Sequence, residues 1–192
     1  VYDRKGCVDS DSDGYSDPEV GWGPNNGADA FPYQPTQWQD SDNDGFGDNL
    51  DGYQGDFCTY NSGGSYNDRY GCLDSDGDGF SDPDPGGLYG VSEWFAHPVG
   101  LGDAFPLDNT QWTDTDGDGY GDNWEDPMWN QTHLAWGIGQ WLETATEPDA
   151  CPFITGSSYS DRFGCTDTDG DSYSDGDENW TMYNGSDAFP LE

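Results

Sequence analysis

Five stretches of the chain place aspartate at every second position and then once more after a gap, a spacing suited to holding a divalent cation. Counted from the first aspartate, the carboxylates fall at positions 1, 3, 5 and 9. They are Asp9, Asp11, Asp13 and Asp17; Asp40, Asp42, Asp44 and Asp48; Asp74, Asp76, Asp78 and Asp82; Asp114, Asp116, Asp118 and Asp122; and Asp167, Asp169, Asp171 and Asp175. A calcium loop takes side-chain oxygens at these positions and a backbone carbonyl at position 7, and it turns sharply at a glycine at position 6. Gly14, Gly45, Gly79 and Gly119 stand at position 6, and the last stretch has Ser172 there. Position 7 is aromatic throughout (Tyr15, Phe46, Phe80, Tyr120 and Tyr173), so its carbonyl would face an ion while its ring covers the loop. Two carboxylates ~4 Å apart repel by about 1 kcal/mol in water and about 4 kcal/mol at an effective dielectric near ~20. Five such loops in register predict five or more Ca2+ ions.

The last ligand has two candidates. Position 12 holds Asp51, Glu125 and Glu178 in three loops but Val20 and Pro85 in the other two. Every loop is instead followed by an Asp two residues before a Phe or Cys, namely Asp29, Asp56, Asp103, Asp149 and Asp187. One closing Asp per loop is the more regular rule, with the intervening spacer looped out.

The elements that must position these groups are repeats. "DRKGCVDSDSDGYSD" at 3–17 returns at 68–82 and at 161–175, "TQWQDSDNDGFGDN" at 36–49 returns at 110–123, and "DAFP" occurs at 29–32, 103–106 and 187–190. The phrases divide the chain into a unit at 1–66 with two loops, a unit at 67–159 with two loops and long aromatic spacers, and the first half of a third at 160–192. Spacers vary while loops hardly change, as in a linear array. The chain opens inside a repeat without a signal peptide, which reads as a segment of a longer protein. The phrases around the cysteines align without a gap, pairing Cys58 with Cys72 and Cys151 with Cys165. Loops of about 15 residues closed this way gain roughly 3 kcal/mol. Cys7 is left over, either free or partnered upstream. No Cys-x-x-Cys is present, so zinc is a poor alternative.

Composition narrows the rest. The 192 residues carry 40 acidic and 4 basic side chains, a net charge of −36, which excludes nucleic acid and anionic membranes as partners. No stretch approaches the ~20 apolar residues of a membrane span. Such charge usually means disorder, but the acids are patterned and nine Trp are present. Cysteines at disulfide spacing point to an oxidising, extracellular or cell-surface location.

"DTDGDGYGD" at 114–122, followed by "DACP" at 149–152, resembles the thrombospondin type 3 repeats, and "DAFP" looks like the same closing phrase with Phe for Cys. The phrases also resemble those of long repetitive surface proteins of archaea and bacteria. The resemblance implies calcium ions along an irregular chain, disulfides between neighbouring units, and almost no helix or sheet. The long spacers and the TQW phrase depart from that family.

Arg4, Arg69 and Arg162 share one repeat position and are expected to pair with nearby carboxylates. Trp38, Trp112, Phe31, Phe105 and Phe189 are expected to form small cores. The apolar spacers at 86–101 and 124–148 suit either a hairpin or short helix padding its own unit or a contact with a neighbouring chain, and "QTHLAW" at 131–136 has some strand character that the glycines weaken. Asn130, Asn179 and Asn184 begin glycosylation sequons. His97 and His133 lie in different spacers with no nucleophile beside them, so catalysis is not expected. The fold class expected is an elongated tandem array of calcium loops with little regular secondary structure. The function expected is a structural extracellular segment, a calcium-stiffened rod or filament whose partners are copies of itself or adjacent repeats. The alternative is a calcium-dependent adhesin or glycan-binding stalk built on the aromatic spacers.

Overall fold

Runs of Asp and Gly give the backbone no periodic apolar face, so its amides bond to side chains and turns instead of ladders. The computed structural model describes residues 2–87 and 93–192, without the side chains of Met128, Asn130, Gln131 and Thr132. Part of the 86–101 spacer and the side chain of the Asn130 sequon thus lie outside the described residues. Among the described residues, regular structure amounts to one helix, α1 (Asn130–Trp136), and 3-10 turns at Pro24–Asn26 and Pro127–Trp129. Pairing of extended backbone is limited to isolated bridges. No described helix is long and apolar enough to cross a membrane.

The chain forms two compact units, Val1–Trp94 and Phe95–Glu192. The repeat divisions at 66/67 and 159/160 fall inside these units, each between two bridged cysteines. Cys58–Cys72 and Cys151–Cys165 are disulfides with Cα–Cα distances of 5.0 and 5.1 Å. Cys7 is free.

All five loops close in the same way. The N–H of position 9 donates to the carbonyl of the residue before position 1: Asp17 to Val8, Asp48 to Gln39, Asp82 to Leu73, Asp122 to Thr113 and Asp175 to Thr166, at 2.7–2.9 Å. Beyond this the loops fall into two kinds. Those after a Gly-Cys carry Ser at position 8, and the carboxylate of the preceding "DR" phrase takes both its N–H and its hydroxyl. Asp68 binds Ser81 at 2.9 and 2.6 Å, and Asp161 binds Ser174 at 2.8 and 2.6 Å. Asp3 does the same with Ser16. The loops after TQW carry Gly47 and Gly121 at position 8. A Cβ there would lie 2.1 or 2.0 Å from the Oε1 of Gln37 or Gln111, so the small residue makes room for the glutamine. Gln111 is 1% exposed; it accepts from Asn123 N–H at 2.9 Å and donates to the carbonyls of Asn123 (3.0 Å) and Thr146 (2.8 Å). Gln37 repeats this with Asn49 and Tyr53.

The spacers after the Gly-Cys loops turn back on themselves, and a tryptophan leads the return. Trp22 exchanges backbone bonds with Glu19, Trp94 exchanges them with Asp84, and the Trp180 carbonyl accepts from Asp177 N–H. Each indole lies under the repeat arginine, with Arg4, Arg69 and Arg162 at 4.9, 4.4 and 5.2 Å from the ring centroids. The arginines therefore do more than pair with acids. Arg4 bonds Glu19 and Arg162 bonds Asp177, but Arg69 and Arg162 also donate through Nε to the Ser81 and Ser174 hydroxyls at 2.9 and 3.0 Å.

The 124–148 spacer pads its own unit. Trp124 is buried and stacks at 4.8 Å on His133 of α1, which is itself 1% exposed. "QTHLAW" is helical rather than extended, with the His133 ring buried and Gly137 ending α1 at φ 69°. Aromatic contacts link consecutive elements: Tyr15 stacks on Trp38 at 5.2 Å, Phe46 meets Tyr70 at 5.7 Å, and Tyr120 meets Phe163 at 5.6 Å. The DAFP rings contribute less than expected, and Phe189 is 67% exposed.

Replacing Gln111 by Leu leaves the buried N–H and carbonyl of Asn123 and the part-buried Thr146 carbonyl without this partner. A loss of about 3 kcal/mol is expected, since each buried unsatisfied group costs about 1–3 kcal/mol. A denaturant melt of the single variant measures it.

Candidate metal centres

In each loop the carboxylates of positions 1, 3 and 5 are gathered so that one oxygen from each lies within 4.8 Å of the others, and the triad can hold a metal ion. Short-range hydrogen bonds do the gathering. Asp114 Oδ1 accepts from Gly117 N–H at 2.7 Å and its Oδ2 from Gly119 N–H at 2.9 Å. Asp40, Asp74 and Asp167 repeat both bonds. Position 5 accepts from the N–H of position 7, as in Asp44 with Phe46 (2.9 Å) and Asp118 with Tyr120 (3.0 Å). Ser172 takes the turn that glycine takes elsewhere, at φ 81°, and the Asp167–Asp169–Asp171 triad still forms.

Position 9 has a different local partner from the triad. Asp17, Asp48, Asp82, Asp122 and Asp175 each accept from the N–H and the hydroxyl of position 2, which is Ser10, Ser41, Ser75, Thr115 and Thr168. A serine or threonine at position 2 in all five loops was the sequence signal for this clamp.

Asp29, Asp56 and Asp149 are at most 1% exposed. The N–H of Asp29 reaches the position-8 carbonyl of Ser16 at 2.9 Å, that of Asp56 reaches Gly47 at 2.8 Å, and that of Asp149 reaches Gly121 at 2.8 Å. Asp187 joins Ser174 in the same way at 2.9 Å. Each of these four therefore sits beside the loop that precedes it. One carboxylate oxygen is used locally, for Asp149 by the Cys151 N–H at 2.7 Å. The Oδ2 atoms of Asp29, Asp56 and Asp149 are buried with no hydrogen-bond donor. Asp103 keeps the local bond, accepting from Phe105 N–H at 2.7 Å. Asp51, Glu125 and Glu178, the position-12 acids, are exposed.

The disulfide-closed segments supply the remaining wall. Gly63 N–H donates to Asp44 Oδ2 at 3.1 Å, and Gly156 N–H donates to Asp118 Oδ2 at 2.9 Å. A Cβ on Gly71 would lie 2.1 Å from Asp56 Oδ1 and 3.1 Å from Asp44 Oδ2. On Gly164 it would lie 2.2 Å from Asp149 Oδ1 and 3.2 Å from Asp118 Oδ2. Gly71 and Gly164, unlike Gly6, thus stand against both a loop carboxylate and a closing carboxylate.

Burial pushes the carboxyl of Asp29 up to about 6, Asp56 to about 7 and Asp149 to about 9, and the neighbouring loop aspartates push the same way. Those neighbours are Asp13, Asp11 and Asp17 for Asp29, and Asp44, Asp42 and Asp48 for Asp56. For Asp149 they are Asp118, Asp116 and Asp122. The donor set is all oxygen, which favours hard cations over zinc or copper.

No family model matches the chain, and neither does any curated protein or solved structure.

A carboxyl raised in the folded state binds its proton more tightly there than in the unfolded chain. Its contribution is complete below the ordinary value of 3.8 and is lost as pH rises through the folded values of about 6 to about 9. The chelator-treated protein should therefore melt higher at about pH 5 than at about pH 8, and added cation should remove that trend in a thermal melt. Ser172→Gly relieves a left-handed non-glycine residue, an effect of about 1 kcal/mol. The fifth loop should bind cation more tightly in that variant, read by calorimetric titration.

Proposed function

We propose that this chain is a structural segment of an extracellular or cell-surface protein, a repeat array stiffened by calcium. The observation that carries the reading is the closing carboxylate. In Asp29, Asp56 and Asp149 it is folded into the protein beside its loop, among other carboxylates, with an oxygen that no donor reaches. A bare arrangement of that kind is unfavourable, because an uncompensated buried charge costs several kcal/mol. A divalent cation at the triad offsets the repulsion and supplies the missing partner.

In loops 9–17, 40–48, 114–122 and 167–175 the ligands are the carboxylates of positions 1, 3 and 5, the carbonyl of position 7, and Asp29, Asp56, Asp149 or Asp187. Position 9, clamped by the hydroxyl of position 2, acts through a water. So many oxygen ligands on irregular backbone suit calcium, whereas magnesium requires a near-ideal octahedron. The loop 74–82 has the same triad and takes the same ion. Disulfides fit an oxidising compartment with abundant calcium, and the thrombospondin type 3-like phrases fit an array that continues into adjacent repeats or copies of itself in a rod or filament. Exposed Asn179 and Asn184 are accessible acceptors for N-glycans in that setting.

Calorimetry should count five or more calcium ions per chain. A chelator should lower the melting temperature and open the loops to proteolysis; equal protease resistance with and without chelator refutes the scaffold. Asp149→Asn separates the two ligand rules. It should raise the melting temperature in chelator, where it removes repulsion, and lower it in calcium, where it removes a ligand. Glu125→Gln should do neither.

A further inference from the structure

Within the second unit a cleft of about 560 Å³ opens between α1, the Cys151–Cys165 segment and the spacer after the last loop. That volume lies in the range of about 300–1,000 Å³ typical of small-ligand sites. One side presents Trp136 and Phe153, 51% and 54% exposed, set edge to face at 5.2 Å. The facing side presents Trp180, whose Nε1 donates to Asp161 Oδ2 at 2.9 Å and whose ring lies under Arg162. Arg162 is fixed in turn by Ser174 and Asp177, so the Trp180 ring is held before any ligand arrives. The rim is polar: Asp177, Glu178 and Asn179.

We propose that this cleft binds a neutral oligosaccharide. A guest that fits must offer apolar faces to the indoles and hydrogen-bonding groups to the rim, which is the division found in a pyranose ring. Charge selects against anionic guests. An anion meets Glu178 and the field of a chain carrying −36, while the Arg162 guanidinium is already paired with Asp177. The site goes beyond the calcium scaffold, which fixes the loops but gives no reason for open tryptophans here.

The test is isothermal titration of the full oxidised chain, produced without glycosylation and kept in calcium, with maltotriose, cellotriose and chitotriose as probes. Saturable binding to at least one is expected. Trp136→Ala and Phe153→Ala should each weaken it about tenfold or more, a loss of at least about 1.4 kcal/mol. Trp141→Ala, equally exposed at 49% but outside the cleft lining, should leave it unchanged. An unaltered calcium stoichiometry shows that each variant is folded, so a failed scaffold and a failed sugar site give different results. No binding to any probe, or wild-type affinity in both cleft variants, overturns the proposal. Trp136-dependent dimerisation in sedimentation without sugar binding overturns it too, by making the face a contact between copies.

Discussion

The carboxylate accepting a backbone N–H is the interaction on which this structure depends. The chain has almost no ladder or helix through which its amides can be satisfied, and aspartate side chains take that role. Position 1 organises the turn, position 5 fixes the aromatic residue at position 7, and position 9 binds position 2. The "DR" aspartates hold position 8 in the Gly-Cys loops. Charge-assisted bonds of this kind are stronger than neutral ones, which allows a loop to keep its shape with little apolar burial. The same economy leaves negative charge concentrated on one side of each loop.

That concentration ties the rest of the architecture to cations. Asp56 and Asp149 come back to their loops through the first residues of the disulfide-closed segments, and those segments return Gly63 and Gly156 amides and the Gly71 and Gly164 backbone to the same carboxylates. A disulfide here closes the wall of a candidate metal centre as well as shortening the unfolded chain. The Arg–Trp stacks and the bridges beside them tie the start of a spacer to its return, with two residues between the bridged pair at Glu19 and Trp22 and nine between Asp84 and Trp94.

Much of the centre was legible in the residues. The alternating aspartates, the position-6 turn, the two cysteine pairs and the scarcity of regular structure all follow from local spacing, because a loop of nine residues folds through contacts that are close in sequence. Repetition also held signals that went unread. Ser or Thr at position 2 recurs with every loop, and Gln before Trp and Asn at position 10 recur with both TQW loops; each is half of a hydrogen-bonded pair. Their partners lie seven to 35 residues away, beyond what a spacing argument reaches. Of the hairpin and the short helix that suit the 124–148 spacer, the structure has the helix, whose His133 packs on Trp124, a partner that "QTHLAW" does not contain.

The sequence by itself determined where carboxylates crowd, how often, and that the chain must answer their repulsion, since charge and spacing are local and repeat. Only the tertiary structure decided which later acids return. It buried Asp29, Asp56 and Asp149 beside their loops and left Glu125 and Asp51 in solvent, because the closing residue is carried back by backbone bonds to position 8 while position 12 has no such tether. It also brought Trp136, Phe153 and Trp180 around one cleft. No local rule joins residues from three spacers; the disulfide and the Arg162 stack do.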